Sequence, residues 1–245
     1  MDALCSEAGV DRDSLIAHDL FLYCREESRR VGKDGELILA PRLDDLACVF
    51  TSALAFTEAE PANVIPTLAV FDNEEVGSAT KQGAASGFLY ETLLRVAGSE
   101  EELLTRLPKS FMVSADNAHA LHPNRPDLAD PDNAPILNGG VVIKYNANQR
   151  YATDAVSDAI FRTLCDRAGV KYQTYCNRAD MLGGSTLGSI SDTRLSVPTV
   201  DIGLPQLAMH SAVETAGALD LDGMCEVLRL FYSTPISLRG DSIEL

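Results

Sequence analysis

The chain has 245 residues, 46% of them apolar, and carries a formal charge of -16 at pH 7. That length and apolar content suffice for the core of one α/β domain, while the acidity repels nucleic-acid phosphate and anionic lipid and so excludes both as expected partners. No run approaches the roughly 18 apolar residues of a membrane helix, residues 1–7 lack the regions of a secretion signal, and the six cysteines form no C-x-x-C pair. A cytoplasmic protein with reduced thiols is the expectation.

In chain order, the first periodic segment is 43–58, where Leu43, Leu46, Ala47, Phe50, Ala53 and Leu54 recur at helical spacing before Pro61. Residues 64–71 (VIPTLAVF) predict a buried strand, and 78–96 returns to a helical pattern. A short apolar run at 110–115 and another at 141–145, introduced by Asn138-Gly139-Gly140, predict strands. Between them, residues 121–135, rich in Pro, Asp and Asn, read as one long loop. A helix is expected over 153–167, strands over 171–176 and 196–203, and a closing helix over 219–233. This alternation predicts an α/β fold, a mostly parallel sheet with helices on both faces, in which ligands bind beyond the carboxyl ends of the strands.

The unusual polar residues sit at those ends. Asp72-Asn73-Glu74-Glu75 directly follows VIPTLAVF. Adjacent carboxylates point in different directions, so one is free to ligate a metal while the other takes a proton from water, the division of labour that hydrolysis needs. The same pair also suits a helix N-terminus, where the dipole favours acidic side chains. Asp116 ends the next strand, with His119 and His122 just beyond it as competing ligands. A strand-end Asp is also an ordinary turn or cap residue. His210 follows a further strand and precedes Glu214, in a place where a hydrogen-bonded structural histidine is equally at home, and Asp44-Asp45 open the first helix, where capping is the simpler role.

Together, Asp, Glu-Glu, Asp and His at four separate element ends make the donor set of a dinuclear hydrolytic site. Oxygen and imidazole donors without thiolate suit Zn, Mn or Co, and a bridging carboxylate holds two such ions about 3.5 to 4 Å apart. No G-x-S-x-G elbow is present, and Gly183-Gly184-Ser185-Thr186-Leu187-Gly188 is neither a P-loop nor a dinucleotide fingerprint. That turn either offers backbone N–H groups to a substrate or binds nothing.

The segments PRLDDL, FDNEEVGS, SADNAHALHPN, IKYNANQRYAT, GGSTLGS and TVDIGLPQLAMHSAVE, in this order, resemble the M18 family of metalloaminopeptidases, with the resemblance running from about His18 to the C-terminus. It implies a zinc-peptidase-like fold, truncated here at the N-terminus, and removal of N-terminal residues, typically acidic, from peptides by a dinuclear, metal-activated water. By position it makes Glu74 the general base, Asp44 the bridging ligand, and Glu75, Asp116 and His210 terminal ligands to zinc, with manganese or cobalt as alternatives. His119 becomes a supporting residue around the metals, and Lys144, Gly184, Ser185 and Met209 substrate-binding residues. For Lys144, a surface lysine at a strand end is the competing reading. Asp45 has no family role. The resemblance divides the chain into 1–40, a remnant of an inserted dimerisation domain, and 41–245, a partial catalytic domain. It places the family's H-x-D segment, with the other metal's histidine, outside this sequence, since His18-Asp19 is not that motif. One site is then complete and the other keeps Asp44 and Asp116. The family's large homo-oligomers form through the inserted domain. A catalytically incompetent homologue, acting as a metal-binding or oligomer-forming domain, is the rival reading.

Overall fold

The computed structural model describes residues 1–181, 183–184, 186–239 and 242–245. Helix α1 (Asp2–Ala8) and strands β1 (Arg29–Val31) and β2 (Leu37–Ala40) come first. They are followed by α2 (Leu43–Glu58), α3 (Phe88–Ala97), α4 (Glu100–Arg106), β3 (Met112–Ala115), β4 (Ala118–His119) and β5 (Val141–Tyr145). The chain continues through α5 (Ala155–Ala168), β6 (Tyr172–Cys176), α6 (Leu187–Leu195), β7 (Thr199–Gly203), β8 (Pro205–Leu207), β9 (Glu214–Gly217) and α7 (Ala218–Ser233), and ends in the antiparallel pair β10 (Ser237–Arg239) and β11 (Ser242–Glu244).

Two sheets carry the α/β architecture. The central one has the order β3-β7-β5-β6, with β3 parallel to β7 and β5 parallel to β6, the two pairs meeting antiparallel where Ile143 faces Ile202. Parallel pairing thus holds for two of its three contacts. The second sheet, β1-β2-β9-β8-β4, is antiparallel except for β8 with β4. Its strands are two to four residues long, too short to leave a period in the sequence.

The central strands are buried on both faces. In β7, Val200 and Ile202 enter the main core with Val141 and Ile143 of β5, against Ile160, Phe161 and Leu164 of α5 and Met224, Val227 and Leu228 of α7. Since side chains alternate along a strand, Val142, Lys144 and Asp201 turn to the opposite face. There α6 comes so close that a Cβ on Gly188 would sit 2.3 Å from Asp201 Oδ1. Val142 packs with Ala118, Tyr151 and Tyr175 on this second face. The α5 N-terminus is fixed by a capping box, Asp154 accepting from the Ser157 N–H while the Ser157 hydroxyl accepts from the Asp154 N–H.

Two expected elements differ. Residues 64–71 form no strand and pair with none among the described residues. The helix expected from 78 begins only at Phe88; residues 78–87 turn tightly instead, and Gly83 is required there because a Cβ would meet the Ser78 carbonyl oxygen at 2.1 Å. Residues 121–135 form the expected loop, with one 3-10 turn at Pro126–Leu128. All six cysteines are free, and among the described residues no helix is long and apolar enough to cross a membrane.

Candidate metal centre

The residues singled out by sequence converge from four places. Asp44 lies at the start of α2, and Glu75 in a 3-10 turn, Glu74–Val76, entered through Asn73 at φ 61° and left through Gly77 at φ 95°. Near 120° per residue, such a turn aims the side chains of Glu74 and Glu75 apart. Asp116 follows β3, its N–H donating to Ile202 O at 3.0 Å, and Gly203 admits this approach because a Cβ there would sit 2.0 Å from Asp116 O. His210 occupies a left-handed turn (φ 66°) after β8.

One cluster joins Asp44, Glu75 and His210. The imidazole Nε2 lies 3.1 Å from Asp44 Oδ2 and 3.1 Å from Glu75 Oε2. Donors about 2.0–2.1 Å from a tetrahedral ion stand about 3.3 Å from one another, so these separations fit an ion shared by all three. The second cluster is Asp44, Asp45 and Asp116, with Asp44 common to both. Carboxylate oxygen and imidazole nitrogen without thiolate form a donor set for zinc or another borderline to hard divalent ion. The electrostatics agree. Burial, then Asp116 and Glu75, push Asp44 up to about 8; burial and Asp116 push Asp45 well above its ordinary value; burial, Asp116 and Glu75 push Glu74 up to about 7. Crowded carboxylates held this way call for a cation.

Glu74 stays out of both ligand clusters and is half-buried. Lys144 is not a surface lysine: it is 1% exposed, its ammonium 3.3 Å from Asp116 Oδ2, 3.1 Å from Asn117 O and 5.3 Å above the Tyr151 ring. Burial works against its charge, but Asp116 and Asp201 outweigh that and raise its pKa. Its positive charge is therefore committed to Asp116 rather than open to a substrate. His119 pairs through its backbone with Gln206 and is exposed at the residue level, while partial burial, then His210 and Lys144, lower its pKa. His122 accepts from the Asn124 N–H at 3.2 Å on the exposed loop and joins neither ligand cluster. Met209 is half-buried in the His210 turn, Gly184 is exposed with open space where a Cβ would be, and Ser185 lies outside the described residues.

The supporting residues escaped the sequence reading. Glu214, 2% exposed, accepts from the Asp44 N–H with Oε2 at 2.9 Å and from the His210 N–H with Oε1 at 2.6 Å, and so holds the backbones of two ligands with one carboxylate. Asn117, 4% exposed, donates to Leu43 O and Gln206 Oε1, both at 2.8 Å, and its own N–H donates to Asp45 Oδ1 at 3.2 Å. Their signal was position alone: Asn117 beside Asp116, and Glu214 four residues after His210.

A carboxylate and imidazole cluster beyond the carboxyl ends of β3 and β8, with a further carboxylate beside it, has the donor set of a metal site in an α/β protein. The chain belongs to the M18 family: residues 1–232 match its model, described as aminopeptidase I zinc metalloprotease. It is 42% identical over 237 residues to a probable M18 family aminopeptidase 2 of Clostridium novyi, covering 95% of this chain and 55% of that one, and 45% identical over 224 residues to the Clostridium acetobutylicum protein of the same description, covering 90% and 52%. The chain thus spans about half the length of the curated relatives it matches. Among solved structures it is similar to prApe1 (TM-score 0.84, 29% identity, 94% of this chain and 51% of that one), to the S. cerevisiae mApe1 dodecamer (0.80, 29%, 94% and 53%) and to the M18 aminopeptidase of Thermotoga maritima (0.76, 30%, 85% and 48%).

Proposed function

We propose that the chain carries the catalytic centre of an aminopeptidase that removes N-terminal residues, acidic ones in the first place, from peptides. The observation that carries this reading is Glu74, a carboxylate outside the ligand clusters whose pKa is pushed up to about 7, beside a cluster of Asp44, Glu75 and His210 that fits one ion. Asp44, Glu75 and His210 would hold one zinc, with manganese or cobalt as alternatives, and Asp44 and Asp116 would share in holding a second. When bound, such ions acidify water and polarise a carbonyl.

The side chains supply the rest. Glu74, poised near neutrality, accepts the proton of the attacking water and returns it to the leaving amine, because a base works best when its pKa lies close to the operating pH. Lys144 fixes Asp116 on the inner side of the centre, and Glu214 fixes Asp44 and His210 through their backbones. The preference for acidic residues rests on family resemblance. Residues 1–40 are taken as the remnant of an inserted domain and 41–245 as part of the catalytic domain. Assembly into a homo-oligomer, as in the S. cerevisiae dodecamer, and a cytoplasmic location complete the proposal for the whole protein.

The test is release of aspartate from Asp-Ala by the purified chain with zinc, alone and together with the part of the Clostridium novyi relative that the chain does not match. Release from either preparation supports the reading; none from both refutes it. The second reading, a metal-binding but non-catalytic homologue, is favoured by the second cluster, which consists of carboxylates alone. Two bound zinc ions per chain together with turnover exclude it.

A further inference from the structure

The second face of the central sheet carries a polar row that crosses all four strands. Ser114 of β3 is in register with Asp201 of β7, and Lys144 of β5 with Tyr175 of β6. The antiparallel register that sets Ile143 opposite Ile202 brings Lys144 opposite Asp201 one residue further on. Because side chains alternate along a strand, Ser114, Asp201, Lys144 and Tyr175 lie side by side on one face. All four are buried, and Asp201 is 0% exposed. Polar groups so placed are costly unless they satisfy one another.

Asp201 is bound from two segments. Its Oδ2 accepts from the Ala152 N–H at 2.6 Å and its Oδ1 from the Thr186 hydroxyl at 2.7 Å, so both oxygens accept, as those of an ionised carboxylate do. Thr186 stands at the N-cap of α6, yet its side chain caps no helix N–H and goes to Asp201 instead. Neither partner carries a charge, and among the described residues no cation lies within ion-pair distance of Asp201. The balancing charge is Lys144, its neighbour in the row. That ammonium points to Asp116 Oδ2 and Asn117 O and lies over the ring of Tyr151, the residue before Ala152. Burial opposes its charge, and Asp116, then Asp201, outweigh the opposition. One ammonium therefore serves two carboxylates, one at the metal centre and one behind it, and the three groups together keep a single negative charge. Were Asp201 neutral, Lys144 and Asp116 would cancel each other and Asp116 would be a poor donor to a cation.

We propose that Asp201 is a positioning residue of the metal centre that acts on Asp116 through Lys144: its buried charge balances the ammonium from behind, so that Asp116 keeps its negative charge for a divalent cation held with Asp44 and Asp45. The inference rests on the reading of Asp44, Asp45 and Asp116 as the place of a second ion.

The test reads metal binding and needs no hydrolysis. The chain is loaded with one equivalent of zinc, which the imidazole of His210 directs to the cluster with Asp44 and Glu75, and manganese, suited to an all-carboxylate cluster, is titrated in and followed by its electron paramagnetic resonance. Asp201→Asn removes the charge but keeps both side-chain bonds, since the amide oxygen accepts from the Ala152 N–H and the amide NH2 donates to the Thr186 hydroxyl, which also accepts. Thr186→Val does the reverse, breaking a bond and keeping the charge. The wild type should bind one manganese, Asp201→Asn should bind it at least about tenfold more weakly, and Thr186→Val within about twofold of wild type. Adding Lys144→Gln to Asp201→Asn removes the opposite charge and should restore the affinity to within about threefold of wild type. If Asp201→Asn alone does not fold, this double variant decides, because it leaves no unpaired charge at either position. The proposal is overturned if the zinc-loaded wild type takes up no manganese, if Asp201→Asn binds it as the wild type does, if Thr186→Val weakens it as much, or if the double variant neither folds nor recovers the affinity. A preparation that binds both metals as expected but hydrolyses no peptide would count against the proposed reaction and leave the role of Asp201 supported.

Discussion

Glu214→Gln separates the support of the metal centre from the stability of the fold. In the native chain one carboxylate accepts from the N–H of Asp44 at 2.9 Å and from that of His210 at 2.6 Å. The substitution preserves the shape but turns one acceptor into an amide NH2 that meets a backbone N–H head on. One of two charge-assisted bonds is lost, worth about 1.5–3 kcal/mol. In the metal-free chain this loss is partly offset, because Glu214 is one of the negative charges that disfavour ionised Asp44. With a cation on Asp44 and His210 that offset disappears, and the misplaced backbone moves two ligands at once. Zinc affinity is expected to fall by about 10- to 100-fold, the usual effect of removing an outer partner of a metal ligand, or about 1.4–2.7 kcal/mol. The metal-free melting temperature should move by no more than about 3 °C. Competition titration against a chromophoric chelator, paired with calorimetric melting of the metal-free chain, measures both. Zinc affinity within twofold of wild type, or a loss confined to metal-free stability, refutes the reasoning.

The remaining predictions concern charge. Asp44 and Glu74 are raised to about 8 and about 7 from ordinary values of 3.8 and 4.5, so between about pH 4 and 8 the folded chain binds more protons than the unfolded one and this cluster's contribution to stability falls as pH rises. The metal-free chain should melt at higher temperature at pH 5.5 than at pH 8, and Asp44→Asn should remove part of that difference; an unchanged pH dependence in the variant contradicts the assignment. Lys144→Met leaves Asp116 and Asp201 without their buried counter-charge, at a cost of about 3–5 kcal/mol, and should lower the melting temperature by roughly 10 °C in calorimetry. His210→Ala removes the nitrogen donor from the cluster that holds Asp44 and Glu75, so the rise in melting temperature that zinc gives the wild type should shrink by more than half.

The legible part of the molecule was the part whose signal is local. The helix expected over 43–58 has the bounds of α2, whose backbone leaves helical geometry at Asp44 and Asp45, and 141–145 is β5, because periodic burial against a single core writes itself into the sequence. The ligands were legible because they stand at element ends, where an acidic residue or histidine contrasts with the apolar run before it. Other features depend on partners distant in sequence. Residues 64–71 have the composition of a strand, yet pairing requires a neighbour, and among the described residues they pair with none. Lys144 reads as either a substrate-binding or a strand-end surface residue until Tyr151 and the adjacent Asp116 and Asn117 are brought around it from two other segments. Glu214 has no helical or strand period at all; its role exists only because β9 places it between Asp44 and His210.

The central claim is that Glu74 works as a base beside a metal held by Asp44, Glu75 and His210. Its most direct test is Glu74→Gln in the preparation that hydrolyses Asp-Ala with zinc. The account predicts a loss of turnover of about 10²- to 10⁴-fold with the amount of bound zinc unchanged, since Glu74 belongs to neither ligand cluster. Turnover within a few-fold of wild type, or loss of zinc along with activity, would contradict it.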